Sequence, residues 1–131
     1  MRHIRFRAKY IDDDSWAYGY YEQIPVGIGK PRAMMHTFND WNLNGHFEVD
    51  SATVGEWTGL RDINKKEIYE GDIVAFPEHY SGDYRHKAGE GTIVFEEAAF
   101  EIDVMTNGLV SLCYNEGVEV VGNIYDKREQ K

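Results

Sequence analysis

Apolar and polar residues alternate strictly at the start of the chain: Ile4, Phe6, Ala8 and Tyr10 interleave with His3, Arg5, Arg7 and Lys9. Successive side chains of a strand point to opposite faces, so this period predicts a half-buried strand with a basic outer face. Asp12-Asp13-Asp14-Ser15 breaks the pattern. Short polar residues that bond their own backbone make turns, so a hairpin into a strand at Trp16–Tyr21 is expected. From Gln23 to Asn44 the pattern weakens, because Pro25, Gly27, Gly29 and Pro31 oppose regular structure. Met34, Phe38 and Trp41 follow at the i, i+4, i+7 spacing of a helix face, which predicts one or two helical turns. Asn44-Gly45 reads as a turn, and Phe47, Val49 and Ala52 as a short strand within His46–Thr53.

The stretch Trp57–Phe76 is the most informative. Thr58-Gly59-Leu60 ends a strand, Arg61–Lys66 is a polar turn holding Asp62 and Asn64, and Ile68-Tyr69 resumes apolar character. Glu70-Gly71-Asp72 is a tight turn in which Gly71 suits a positive φ. Ile73–Phe76 is the next strand, stopped by Pro77. The polar segment Pro77–Gly91 reads as a long loop, functional or disordered. Thr92–Glu96 and Phe100–Met105 form a strand pair, Asn107-Gly108 signals a hairpin into Leu109–Tyr114, Asn115-Glu116-Gly117 turns again, and Val118–Ile124 is the last strand. Short strands with regular turn signals predict a mainly β protein. The expected architecture is a small antiparallel open barrel, Src-homology-3-like, in the C-terminal half, with an N-terminal β-hairpin and a variable, short-helical middle extension. The whole chain, 1–131, is expected to be a single domain, parsed as hairpin 1–22, extension 23–53, barrel 54–125 and tail 126–131.

Composition narrows the function classes. A net charge of −9 argues against general nucleic-acid binding, which needs clustered Lys and Arg. The single cysteine, Cys113, excludes an internal disulfide and a cysteine-based zinc site, and suits a reducing cytosol. The opening M-R-H-I-R-F-R-A-K-Y lacks the apolar run of a signal peptide, and no apolar stretch is long enough for a membrane span. A cytoplasmic protein with no membrane partner is expected.

Candidate chemistry is sparse. Glu70 and Asp72, with Glu67 and Asp62 nearby, invite an acid–base or metal role. Asx turns explain the same residue types, so Gly59, Glu70, Gly71, Asp72 and Gly122 are read as structural turn residues. The Asp12–Asp14 run lacks the glycine and glutamate of an EF-hand loop, since Ala17 and Gln23 stand there. Of His3, His36, His46, His79 and His86, only His79 and His86 share a segment, too few for a metal site. Gly27-Ile28-Gly29 is not a dinucleotide fingerprint, because Arg32 replaces the third glycine. Cys113, mid-strand, reads as a buried thiol. No catalytic residue, cofactor or metal ligand is assigned. Arg5, Arg7 and Lys9 form a stripe along one strand face, with tyrosines on the paired strand to stack on. The simpler account pairs the stripe with acidic rows such as Glu101, Asp103 or Glu119.

Three blocks together resemble the YopX-like family: I-R-F-R-A at Ile4–Ala8, T-G-L-R-D-I-N-K-K-E-I-Y-E-G-D-I-V at Thr58–Val74, and E-V-V-G-N-I-Y at Glu119–Tyr125. The resemblance implies a phage- or prophage-derived accessory protein of unassigned biochemical role, oligomeric, with no catalytic residues to carry over. Tyr10–Trp57 and Pro77–Gly91 carry no family signal. The leading expectation is therefore a non-enzymatic module that binds a phage or host protein, or copies of itself. Its candidate surface is Arg5, Arg7, Lys9, Tyr20, Tyr21, Met34, Met35, Phe38 and Trp41, rich in the aromatic and Met residues of interfaces. The alternatives are a nucleic-acid-binding regulator using the basic strand, disfavoured by the acidic charge, and, last, a metal-dependent hydrolase.

Overall fold

The opening alternation builds β1 (Phe6–Lys9), and the Asp-rich turn leads into β2 (Trp16–Ile24), paired antiparallel with Phe6 opposite Gly19 and Lys9 opposite Trp16. These coordinates are a computed structural model, which describes residues 4–38, 43–96, 98–104, 109–111 and 117–126. Trp41, Met105, Asn107-Gly108, Cys113, Asn115-Glu116 and residues 127–131 lie outside the described residues, as do the expectations attached to them. Asp13 shapes the β1–β2 turn by accepting both the hydroxyl and, at 2.8 Å, the backbone N–H of Ser15. Both bonds favour its charged form, so its carboxyl sits below the ordinary value.

β2 runs on to Ile24 and pairs with β3 (Arg32–Phe38), from Gly19 opposite Thr37 to Ile24 opposite Arg32. This overturns the helical expectation for Met34 and Phe38. Pro25 and Pro31 interrupt only the loop between the strands, and a continuous ladder outweighs a helical fragment too short to be stable alone. β4 (Leu43–Glu48) pairs with β3, and Gly45 lies opposite Thr37, so the expected Asn44-Gly45 turn is strand instead. A 3₁₀ turn, Ser51–Thr53, follows, capped by the Asp50 carboxylate on the Ala52 N–H at 3.0 Å. β5 (Gly55–Arg61) then begins beside β1, with Gly55 opposite Arg7.

The chain forms two compact units, Met1–Trp57 and Thr58–Lys131. In the first, the strand order is β4-β3-β2-β1-β5. The sheet curls until the chain after β4 meets the end of β1: Tyr10 bridges Val49, and the Asp50 N–H donates to the Lys9 carbonyl at 2.8 Å. The meeting is a single isolated bridge, so the sheet does not close into a barrel. Tight curling needs little bulk on the inner face. Ala8, Ala17 and Ala33 supply that, and Met35 and Val49 fill the remaining space. Methionine suits it, being unbranched and adaptable.

In the second unit the end of β5 adjoins β6 (Glu67–Tyr69). The remaining strands are β7 (Asp72–Phe76), β8 (His79–Ser81), β9 (Tyr84–His86), β10 (Gly89–Glu96), β11 (Ala99–Asp103), β12 (Leu109–Ser111) and β13 (Glu119–Asn123). β12-β11-β10-β7-β13 make an antiparallel sheet. Ile68, Val74, Phe76, Ile93, Ile102 and Val118 form its core. The mainly β expectation stands, and this sheet too is open, not closed into a barrel. The segment read as a long loop contains the β8–β9 hairpin and the start of β10, because strand-forming Tyr80 and Tyr84 flank a Gly82-Asp83 turn.

Candidate interaction site

The acidic residues of the central stretch hold backbone. Asp62 is buried; its Oδ1 accepts the N–H groups of Asn64 at 2.8 Å and Lys66 at 2.9 Å, and its Oδ2 accepts that of Val120 at 2.9 Å. Burial pushes this carboxyl up, but the donors from Val120, Lys66 and Asn64, with the Lys66 charge, outweigh it and hold the group below its ordinary value. Asp72, 1 % exposed, accepts the Tyr69 N–H at 2.8 Å across the turn. Gly71 has φ 92°, and its carbonyl accepts the Ile124 N–H at 3.0 Å. Asn123 Oδ1 accepts from the N–H groups of Tyr125 and Asp126. The central and C-terminal blocks of the resemblance are thus one hydrogen-bonded assembly. Gly59, expected at a strand end, is a positive-φ kink inside β5, and Gly122 lies at a bulge in β13. Among the described residues, no three His, Cys, Asp or Glu side chains converge to hold a metal ion.

The basic stripe is not the open surface that alternation implied. Arg7 is 4 % and Lys9 6 % exposed. Trp16, opposite Lys9 on the same face, covers them: its ring centroid is 4.3 Å from the Arg7 guanidinium carbon and 5.3 Å from Lys9 Nζ. Cations against an aromatic face keep a favourable electrostatic partner while losing water. Lys9 Nζ also lies 3.4 Å from the Asp14 carboxylate. Arg5 stays exposed, 5.4 Å from the Trp57 ring centroid. Met34 and Met35 are both buried although adjacent in a strand, so both faces of β3 are covered there. Tyr21 packs on Phe6 at 6.0 Å, while Tyr20 is exposed. The Phe38 and Trp41 side chains are outside the described residues.

Sequence reasoning passed over the loop between β2 and β3. Val26 is exposed there, Ile28 is fully so, and Ile24, the last residue of β2, is exposed beside them. Beyond the neighbouring residues, no atom lies within 4 Å of the point where a side chain would begin at Gly27 or Gly29, so there is open space beside both glycines. Lys30 and Arg32 follow directly. Beside the tip, two adjoining hollows of about 680 and 380 Å³ share Tyr10, Ile11, Asp13 and Glu48. Tyr10 meets Phe47 edge-on at 5.5 Å, giving an aromatic wall. Asp12, Asp13, Asp14, Glu48 and Asp50 make the lining acidic. Lys30 and Pro31 border the larger hollow, so tip and groove are neighbours. The signal was available: aliphatic residues in a Pro/Gly stretch without periodicity have no core to enter.

No curated protein matches the chain. The family model described as YopX protein matches residues 5–129, running through both units. With its three blocks placed at β1, at the β5–β7 turns and at β13, the chain belongs to the YopX family.

Proposed function

We propose that this protein is a non-catalytic interaction module, an accessory protein of phage or prophage origin acting in the host cytoplasm, that associates through its first unit. The observation that carries this is the β2–β3 tip, where Ile28 is fully exposed and Ile24 and Val26 are each exposed over more than a third of their surface. A folded chain gains nothing from exposing three aliphatic side chains together, whereas a partner that covers them gains their burial. The roles of Asp62 and Asp72 support the same reading, because their oxygens are engaged by backbone N–H groups that fix turns. Burial of Arg7 and Lys9 weighs against the nucleic-acid alternative, since phosphate contacts require reachable cations. Among the described residues no helix is long and apolar enough to cross a membrane. Size-exclusion chromatography with light scattering, alongside tagged co-purification from host cells, tests the proposal. A self-associated chain or a stoichiometric protein partner is expected. A strict monomer that captures nothing would overturn it.

A further inference from the structure

We infer that the occupant of the acidic groove is the β2–β3 tip of a second copy of this chain, a refinement that rests on the interaction-module reading. The two surfaces match in shape and charge. The tip offers exposed aliphatic side chains, Val26 and Ile28, followed by the cation Lys30; Arg32, further on, lies 3.5 Å from Glu48 of its own chain. The groove offers the apolar side chains of Tyr10, Ile11 and Phe47 together with the carboxylates of Asp12 and Asp13, while Glu48 in the same lining is already paired with Arg32. Asp50 and Asp14 extend the acidic lining, and Lys9 is already engaged by Asp14. For a chain of net charge −9, undirected self-association is opposed by repulsion, so a contact that sets local cations against carboxylates is the one favoured.

Adjacency sets the symmetry. Lys30 and Pro31 border the chain's own groove, so a two-fold axis beside them places each tip over the other copy's groove and satisfies both surfaces at once. The result is a closed dimer in which Ile28 is the buried anchor and Lys30 the charge that sets its orientation. Variants at Ile28 and Ile11 leave the monomer intact, because Ile28 is fully exposed and Ile11 is more than half exposed.

Sedimentation velocity on the full chain provides the test, with circular dichroism melts as the control for folding. Wild type is expected to dimerise at tens of micromolar. Ile28→Asp, which breaks the tip, and Ile11→Asp, which breaks the groove wall, each weaken dimerisation by at least about tenfold with unchanged melting. An equimolar mixture of the two variants recovers association, because the mixed dimer keeps one intact tip and one intact groove. A dimer indifferent to both variants would overturn the tip-in-groove contact while leaving self-association standing. A monomer throughout the range would overturn both. Ile28-dependent capture of a monomer by phosphatidylglycerol vesicles would overturn the contact in favour of a lipid surface.

Discussion

Asp62 and Asp72 are each one carboxylate closing one turn, yet their sensitivities differ. Asp62 serves three N–H donors on two segments, so Asp62→Asn replaces an acceptor oxygen with an NH₂ facing a donor. Leaving a buried N–H unsatisfied costs about 1–3 kcal/mol, and urea denaturation of Asp62→Asn is expected to show a loss of that size. The pH dependence follows from the lowered carboxyl. In the unfolded chain an Asp titrates near about 3.9; a depressed folded value means stability that is fully present above that pH and is lost as pH falls through the folded value. Wild type should therefore lose stability progressively below about pH 4, and Asp62→Asn should lose less over the same interval. Gly71 is constrained twice: φ is 92°, and a Cβ would sit 3.0 Å from the Tyr125 ring. Gly71→Ala should cost about 1–2 kcal/mol from the left-handed backbone alone, read as a lower urea midpoint with an unchanged slope.

At the scale of elements, the first unit is a sheet whose curl depends on what its inner face lacks. Gly19 on β2 sits against the backbone of β3, and a methyl there would collide with the His36 carbonyl oxygen. Backbone cannot move aside as a side chain can, so Gly19→Ala should part β2 from β3 locally. Amide exchange at Tyr20–Glu22 and Met34–His36 should then rise together. Met35 at the centre of that face is fully buried, and Met35→Ala should destabilise by about 2–5 kcal/mol, since cavity and transfer terms add. Cation burial on the other side of β1 has the same origin. Register places Trp16 opposite Lys9, and the indole lies over both Lys9 and Arg7.

For the whole molecule, the chain carries two cores, one around Met35 and Val49 and one around Val74, Phe76, Ile93 and Ile102. Separate cores allow separate opening. Met35→Ala is therefore expected to speed exchange of protected amides in β1–β4 more than in β7, β10 and β11, measured by native-state hydrogen exchange. Equal acceleration across all strands would show that the two units open as one. The interaction proposal belongs to this scale too, because tip, groove and aromatic wall all lie within Met1–Trp57.

Strand and turn were legible where the period is local. Alternation over Ile4–Tyr10, the Asp13 turn, the Glu70-Gly71-Asp72 turn and the three family blocks were all readable from neighbours a few residues apart. These depend on backbone preferences that a short segment carries with it. Cover was not legible. Alternation assigns Arg7 and Lys9 to one face of β1 but cannot say that Trp16 lies over that face, nor that Met34 and Met35 are both enclosed. The β2–β3 and β8–β9 ladders were masked by proline, glycine and polar residues whose local preferences only cross-strand pairing overrides. Burial and pairing join residues distant along the chain, so tertiary structure alone determined which side chains are core and which, like Ile28, stay exposed.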